Sequence, residues 1–237
     1  MKHDLVLLPG TGSDEVFVTE AFATPAAEFG WRPVAVPPVP GPALAEEFLA
    51  ALDRAAEAGP IVVGGISLGA HLAVEWALRR PERCAGLVAA LPGWHGPVDD
   101  PAGTAPAAVA ARYSAARVDA LGVDAALAGA VDGVPGWLAA ELNRAWRRAG
   151  AGLAAALRVA ATRPAPALAE LARLSVPAGV AACADDPVHP AEVAKDWAAA
   201  LPNAELRTIT FAEFGADRAA LGRAALEAFH TARRRTG

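Results

Sequence analysis

Val63-Gly64-Gly65-Ile66-Ser67-Leu68-Gly69-Ala70-His71 is the stretch on which the reading of this chain turns. It leaves a short apolar run, Ile61 to Val63, passes through a glycine-rich turn and enters an alanine-rich segment, Leu68 to Arg79, of helical composition. Gly65-Ile66-Ser67-Leu68-Gly69 is therefore G-x-S-x-G between a strand and a helix, the context that gives this pattern a mechanical meaning. A serine held on a sharp, strained turn leaves almost no room for side chains two residues before and two after it, and glycine meets both demands. The turn lifts the Ser67 hydroxyl above the sheet. The helix start beside it offers backbone N–H groups, that of Leu68 among them, to a developing oxyanion. The competing reading is an ordinary glycine-rich turn into a helix.

Working outward, short apolar runs bounded by turn residues alternate with alanine-rich helical stretches, the pattern of βαβ units around a parallel sheet. Strands are expected at Leu5 to Leu8, Val34 to Val36, Ile61 to Val63, Gly86 to Ala90, Gly179 to Ala182 and Leu206 to Ile209. Each is nearly all apolar, as strands covered on both faces should be. Helices are expected at Ala43 to Ala58, Leu68 to Arg79, Pro190 to Ala200 and Ala216 to Thr231. The rhythm breaks over Pro92 to Val176, which holds helical pieces and no convincing strand. Within it Pro135-Gly136-Trp137 opens a helix to about Ala149. Two positions suit this insertion: a cap over the crevice at the carboxyl ends of the strands, or packing against the sheet edge. One domain spanning 1–237 is the expectation, since the length falls within the range of a single α/β domain.

The elbow and the order of elements resemble the α/β-hydrolase superfamily. The fold class implied is a mostly parallel sheet with helices on both faces and a helical cap insertion. Leu7-Leu8-Pro9-Gly10-Thr11-Gly12-Ser13 looks like the loop that supplies that family's second oxyanion-hole amide, with Thr11 favoured and Gly10 or Gly12 as alternatives. Read instead as a dinucleotide loop, Gly10-Thr11-Gly12 lacks its third glycine and an acid at the end of the next strand. The family's acid follows the penultimate strand, where this chain has Cys183-Ala184-Asp185-Asp186-Pro187-Val188-His189-Pro190. Asp186 matches that position best and Asp185 is the fallback; a solvated turn with one aspartate as a cap is the bland reading.

The family's base histidine sits just after the last strand. Here Thr210-Phe211-Ala212-Glu213-Phe214-Gly215-Ala216-Asp217-Arg218 contains none. Without an imidazole in that loop, the proton acceptor for Ser67 must come from elsewhere. The chain has five histidines, so each can be weighed. His3 and His230 are expected at the surface, and His71, one turn into the elbow helix, is structural in family members with this sequence. His189, on the acid loop itself, is favoured over His95 of Pro92-Gly93-Trp94-His95-Gly96; that neither serves stays open. Glu213 and Asp217 occupy the expected base loop, but a carboxylate is a poor base for serine at neutral pH unless burial raises its pKa.

Composition sets the outer bounds. The charge of −5, from 21 Lys+Arg against 26 Asp+Glu, provides no broad basic field for nucleic acid or anionic lipid. At 54% hydrophobic residues the chain has surface for a core, although much of it is alanine, which favours helix and buries little area. No apolar run reaches the roughly 18 residues of a membrane span, and Met1-Lys2-His3-Asp4 leads into a strand rather than a signal segment. A cytoplasmic location is expected. Cys84 and Cys183 lack metal-ligand spacing, and no metal or cofactor is implied. The expectation is a serine hydrolase acting on a small or medium acyl ester or thioester, a small-molecule substrate with no nucleic-acid or membrane partner, its oligomeric state unknown. The site would be Ser67, Asp186 and His189 with the amides of Leu68 and Thr11. The missing histidine after the last strand motivates the alternative, a non-hydrolytic protein of the same fold: a lyase, a cyclase or a ligand-binding protein.

Overall fold

The computed structural model describes residues 4–100 and 103–236. Its strands are β1 (Asp4–Leu8), β2 (Arg32–Ala35), β3 (Ile61–Ile66), β4 (Cys84–Ala90), β5 (Asp99–Asp100), β6 (Gly103–Thr104), β7 (Ala178–Cys183) and β8 (Ala204–Ile209). Six of them form one sheet in the order β2-β1-β3-β4-β7-β8, with every neighbouring pair parallel. The helices are α1 (Glu15–Glu28), α2 (Leu44–Ala55), α3 (Leu68–Arg79), α4 (Pro106–Leu121), α5 (Val123–Ala130), α6 (Gly136–Ala149), α7 (Leu153–Thr162), α8 (Leu168–Leu171), α9 (Ala191–Ala200), α10 (Phe211–Ala216) and α11 (Ala219–Thr236).

The alternation of side chains along each strand divides the core in two. Val6, Leu8, Val63, Leu87, Ala89 and Val180 face one side, where Phe48 and Leu52 of α2, Leu72 and Trp76 of α3, and Trp197 of α9 cover them. Leu5, Leu7, Val62, Val88, Ala90 and Ala181 face the other, under Phe17 and Phe22 of α1 and Leu221 and Phe229 of α11. Each large apolar side chain buried in this way contributes about 1.5–3 kcal/mol. Trp76 and Trp197 bury their indole N–H groups only with partners: one donates to Asp53 at 3.0 Å and the other to the Trp94 carbonyl at 3.2 Å.

The register pairs Leu8 with Gly65 and Ile66 with Ala90, so the loops after β1, β3 and β4 emerge side by side at one end of the sheet. The β7 loop leaves at the same end. This is where an open parallel sheet leaves a crevice for a ligand.

Several sequence expectations need correction. A helix, α1, fills the space between β1 and β2 where none was expected. Its apolar residues go around the helix rather than along one stripe, and Pro25 lies inside it. The expected strand Val34 to Val36 runs as Arg32–Ala35, the final helix expected at Ala216 to Thr231 runs as α11 (Ala219–Thr236), and a short helix that was not expected, α10, precedes it. The insertion contains a two-residue antiparallel ribbon, β5 with β6. Its helices α4 to α7 contribute to the walls of a cavity above Ser67. No helix among the described residues is long and apolar enough to cross a membrane.

Candidate active site

Ser67 follows the last residue of β3 and precedes the first of α3. Its backbone has φ 54° and ψ −117°, a left-handed conformation that costs a residue with a Cβ energy. Two features hold it there: its N–H donates to the Ala90 carbonyl at 2.9 Å, and its own carbonyl accepts the first helical bonds from Ala70 and His71. The flanking glycines are required by space. A Cβ on Gly65 would lie 2.6 Å from the Leu8 carbonyl oxygen and from the Gly69 backbone, and one on Gly69 would collide with the same carbonyl. The strained serine and the close packing of β1 against the elbow thus have one cause.

The acid loop brings two side chains to this point. His189 Nε2 lies 2.9 Å from Ser67 Oγ, and its Nδ1 lies 3.0 Å from Asp186 Oδ2. Asp186 Oδ1 accepts from the backbone N–H of Val188 at 2.7 Å and of His189 at 3.1 Å. Burial acts to raise the Asp186 carboxyl pKa, but the His189 ring and these amides outweigh it and hold it below its ordinary value. Asp186 is therefore a fixed anion, with one oxygen anchoring the loop and the other facing the imidazole.

Asp185 points elsewhere: its carboxylate accepts from the Phe211 N–H at 2.6 Å and ties the acid loop to α10. His95 faces Asp196 on α9, 3.5 Å away, and does not line the cavity. His71 is buried, accepts from the Gly93 N–H at 3.0 Å and packs edge-on against Trp94. Burial, and then the charge of a protonated His189, push its pKa down to about 3. The surface position expected for His230 is corrected: it is half-buried, stacks on Phe29 and accepts from the Trp31 indole at 2.9 Å. His3 lies outside the described residues. Glu213 closes a capping box with Thr210, and Asp217 caps α11 through the Ala219 N–H, so both carboxylates serve helix starts. Where the family pattern would have its histidine, Phe211 and Phe214 line the cavity instead.

Gly10 packs against the elbow; a Cβ built on it would lie 3.5 Å from Ser67 Cβ. Next to it, Thr11 has an N–H without an acceptor among the described residues and a buried hydroxyl likewise unpartnered. The Leu68 amide, first in α3, has no intrahelical acceptor. Gly12, at φ 72°, lies under the Trp146 indole, so α6 of the insertion packs directly on this loop.

A second set of contacts, missed in the sequence, fastens the same loop to the insertion. Ser13 Oγ donates to Glu141 at 2.9 Å, and Arg144 binds Asp14 through two nitrogens at 2.8 and 3.1 Å while also pairing with Glu141. Asp14, only 1% exposed, is at the same time the N-cap of α1, accepting from Val16 and Phe17. Aspartate followed by Glu15 is a helix-start signal that could have marked Asp14 as a cap, though it was not part of the expectation; its partners on α6, about 130 residues away, carried no local signal.

The cavity above Ser67 has a volume of about 620 Å³. Phe17, Leu91, Trp94, Trp137, Trp146 and Leu157 are among its many apolar walls. Among the described residues no three histidine, cysteine or carboxylate side chains converge to hold a metal ion.

No protein-family model and no curated protein sequence matches this chain. Solved structures do. MenH from S. aureus superposes with a TM-score of 0.74 at 17% identity, covering 98% of this chain and 94% of that one. An enol-lactonase from Burkholderia xenovorans LB400 gives 0.70 at 16% identity, over 98% and 92%. A hydrolase from Pseudomonas aeruginosa PA01 gives 0.68 at 26% identity, over 97% and 90%. The chain has the α/β-hydrolase fold. In this α/β-hydrolase fold the six-stranded parallel sheet with its surrounding helices is what the superpositions share, whereas the residues around Ser67 are described from this chain alone.

Proposed function

We propose that the protein is a serine hydrolase acting on small or medium acyl esters or thioesters. The observation that carries this reading is the continuous hydrogen-bonded line from Ser67 Oγ through His189 to Asp186. In the proposed reaction His189 Nε2 takes the Ser67 hydroxyl proton as Oγ forms a bond to the substrate carbonyl carbon. The carbonyl oxygen becomes an oxyanion, facing the amides of Leu68 and Thr11. When it collapses, the bond to the leaving oxygen or sulfur breaks and His189 returns the proton to that atom. A water molecule then repeats the sequence on the acyl-enzyme, releasing the acid and restoring the serine. Asp186 keeps the Nδ1 proton on the inner side of the ring and stabilises the imidazolium while it exists.

The non-hydrolytic alternative drew on the lack of a histidine after the last strand. The imidazole of His189 within hydrogen-bond distance of Ser67 supports the hydrolytic reading over that alternative. The apolar cavity supports a hydrocarbon-rich acyl group over a polymer. A fluorophosphonate probe should label Ser67, and short p-nitrophenyl esters should be turned over by the wild type and not by Ser67→Ala. No labelling and equal turnover by the two proteins would reject the reading.

A further inference from the structure

Three charged groups other than His189 line the cavity, and two of them are matched. Asp186 faces His189, and Glu141 faces Arg144. The third is Arg117 of α4, the one arginine or lysine in the walls among the described residues. Its guanidinium lies 5.8 Å from the Tyr113 ring centre and passes beside Gly129 in the last turn of α5. Among the described residues it makes no ion pair and no hydrogen bond. The carboxyl end of α5 favours a cation nearby, but that is a weak attraction for a group with five donors left open.

Its position relative to Ser67 follows from α4. A Cβ built on Gly93 would lie 3.3 Å from Ala107 and 3.9 Å from the His189 ring, so the first turn of α4 stands next to the imidazole. Arg117 is ten residues further on, about 15 Å along the axis, and its side chain leans back toward the helix start. An apolar cavity with a reactive serine at one place and an unmatched cation at a distance suits a ligand with charge at one end only.

We propose that Arg117 binds an anionic group of the substrate, so that the substrate is an ester or thioester with an apolar body and a carboxylate or phosphate remote from the bond that breaks. This rests on the hydrolase reading for the word substrate, but the binding claim can be tested without turnover. The Ser67→Ala protein is titrated calorimetrically with ethyl hydrogen suberate, ethyl 8-(phosphonooxy)octanoate and neutral diethyl suberate.

At least one anionic probe should bind about ten-fold or more tightly than the diester, the difference expected of a charge-assisted hydrogen-bonded pair. Whichever anion gains more identifies the group as carboxylate or phosphate. Adding Arg117→Gln should bring the ratio close to one, and adding Arg117→Lys should keep part of it, which separates lost charge from lost folding. Equal binding of all three probes, or a preference that survives Arg117→Gln, would overturn the proposal. If the preference holds and the wild type hydrolyses none of the probes, the hydrolase reading fails while the Arg117 site stands. If the wild type hydrolyses the diester and both half-charged esters equally well and binding shows no preference, the reverse is true.

Discussion

At the scale of single residues, Asp186 and His71 illustrate opposite uses of burial. Asp186 stays ionised because two amides and an imidazole meet it; His71 stays neutral because burial disfavours its charged form, while its Nε2 accepts from the Gly93 N–H. Asp186→Asn should retain the loop yet lower kcat by about 10³–10⁴-fold with a small change in KM, as expected when the orienting anion of such a line is lost; a fall below ten-fold would remove Asp186 from that role. For His71 the direction follows from its depressed pKa. Below its ordinary value of 6.5 the unfolded chain takes up a proton that the folded protein refuses until about pH 3. Its contribution is complete above pH 6.5 and is lost as pH falls, by about 1.4 kcal/mol per pH unit. Urea unfolding at pH 7 and pH 5 should show a loss about 2 kcal/mol larger for the wild type than for His71→Gln. The elbow was readable because steric demands appear directly as Gly65 and Gly69. The imidazole was harder: spacing along the acid loop does not reveal which way a three-residue turn aims His189.

At the scale of elements, the start of α1 and the middle of α6 behave as one joint. Asp14 ends the loop that starts at Gly10, caps α1 and holds Arg144. Two substitutions separate its duties. Asp14→Asn keeps a capping oxygen and loses the charge, whereas Asp14→Ala loses both. Because removing one member of a buried pair strands the other, and a lost cap adds about 1 kcal/mol, Asp14→Ala should cost about 2–4 kcal/mol in urea unfolding and Asp14→Asn distinctly less. Equal costs would mean that the capping oxygen contributes nothing, and an Asp14→Asn cost near zero would mean that Arg144 contributes nothing through the charge of Asp14. The helix α1 itself shows why pattern reading stops short. Helical periodicity is a signal only when one face is polar. Here Val18, Ala21 and Phe22 are fully buried while Phe17 packs against Trp137 and Phe214, so contact comes from several directions and no stripe forms. Helix α6, with a polar outer face, was located from sequence to within a residue.

At the scale of the whole molecule, the alternating strands and helices were legible because each buried strand is a short apolar run. The roof of the cavity was not, since Ser13 with Glu141 and Gly12 with Trp146 are pairings of distant residues. That roof predicts selectivity. Ala160 of α7 lines the cavity and is almost wholly buried. Ala160→Phe should move the preferred p-nitrophenyl ester to a shorter acyl chain, read from kcat/KM across a chain-length series; an unmoved optimum would mean the acyl group lies elsewhere. A last consequence comes from the acid loop. His189 and Asp186 are three residues apart, while the meeting of His189 with Ser67 joins positions 122 residues apart. The pair is a local structure that one short turn can preserve by itself. Heat or denaturant that loosens the sheet would first detach the serine from an intact imidazole–carboxylate unit. Inactivation would then come earlier than unfolding and be reversible on cooling, with the histidine ring signal in NMR still reporting its aspartate after turnover has ceased.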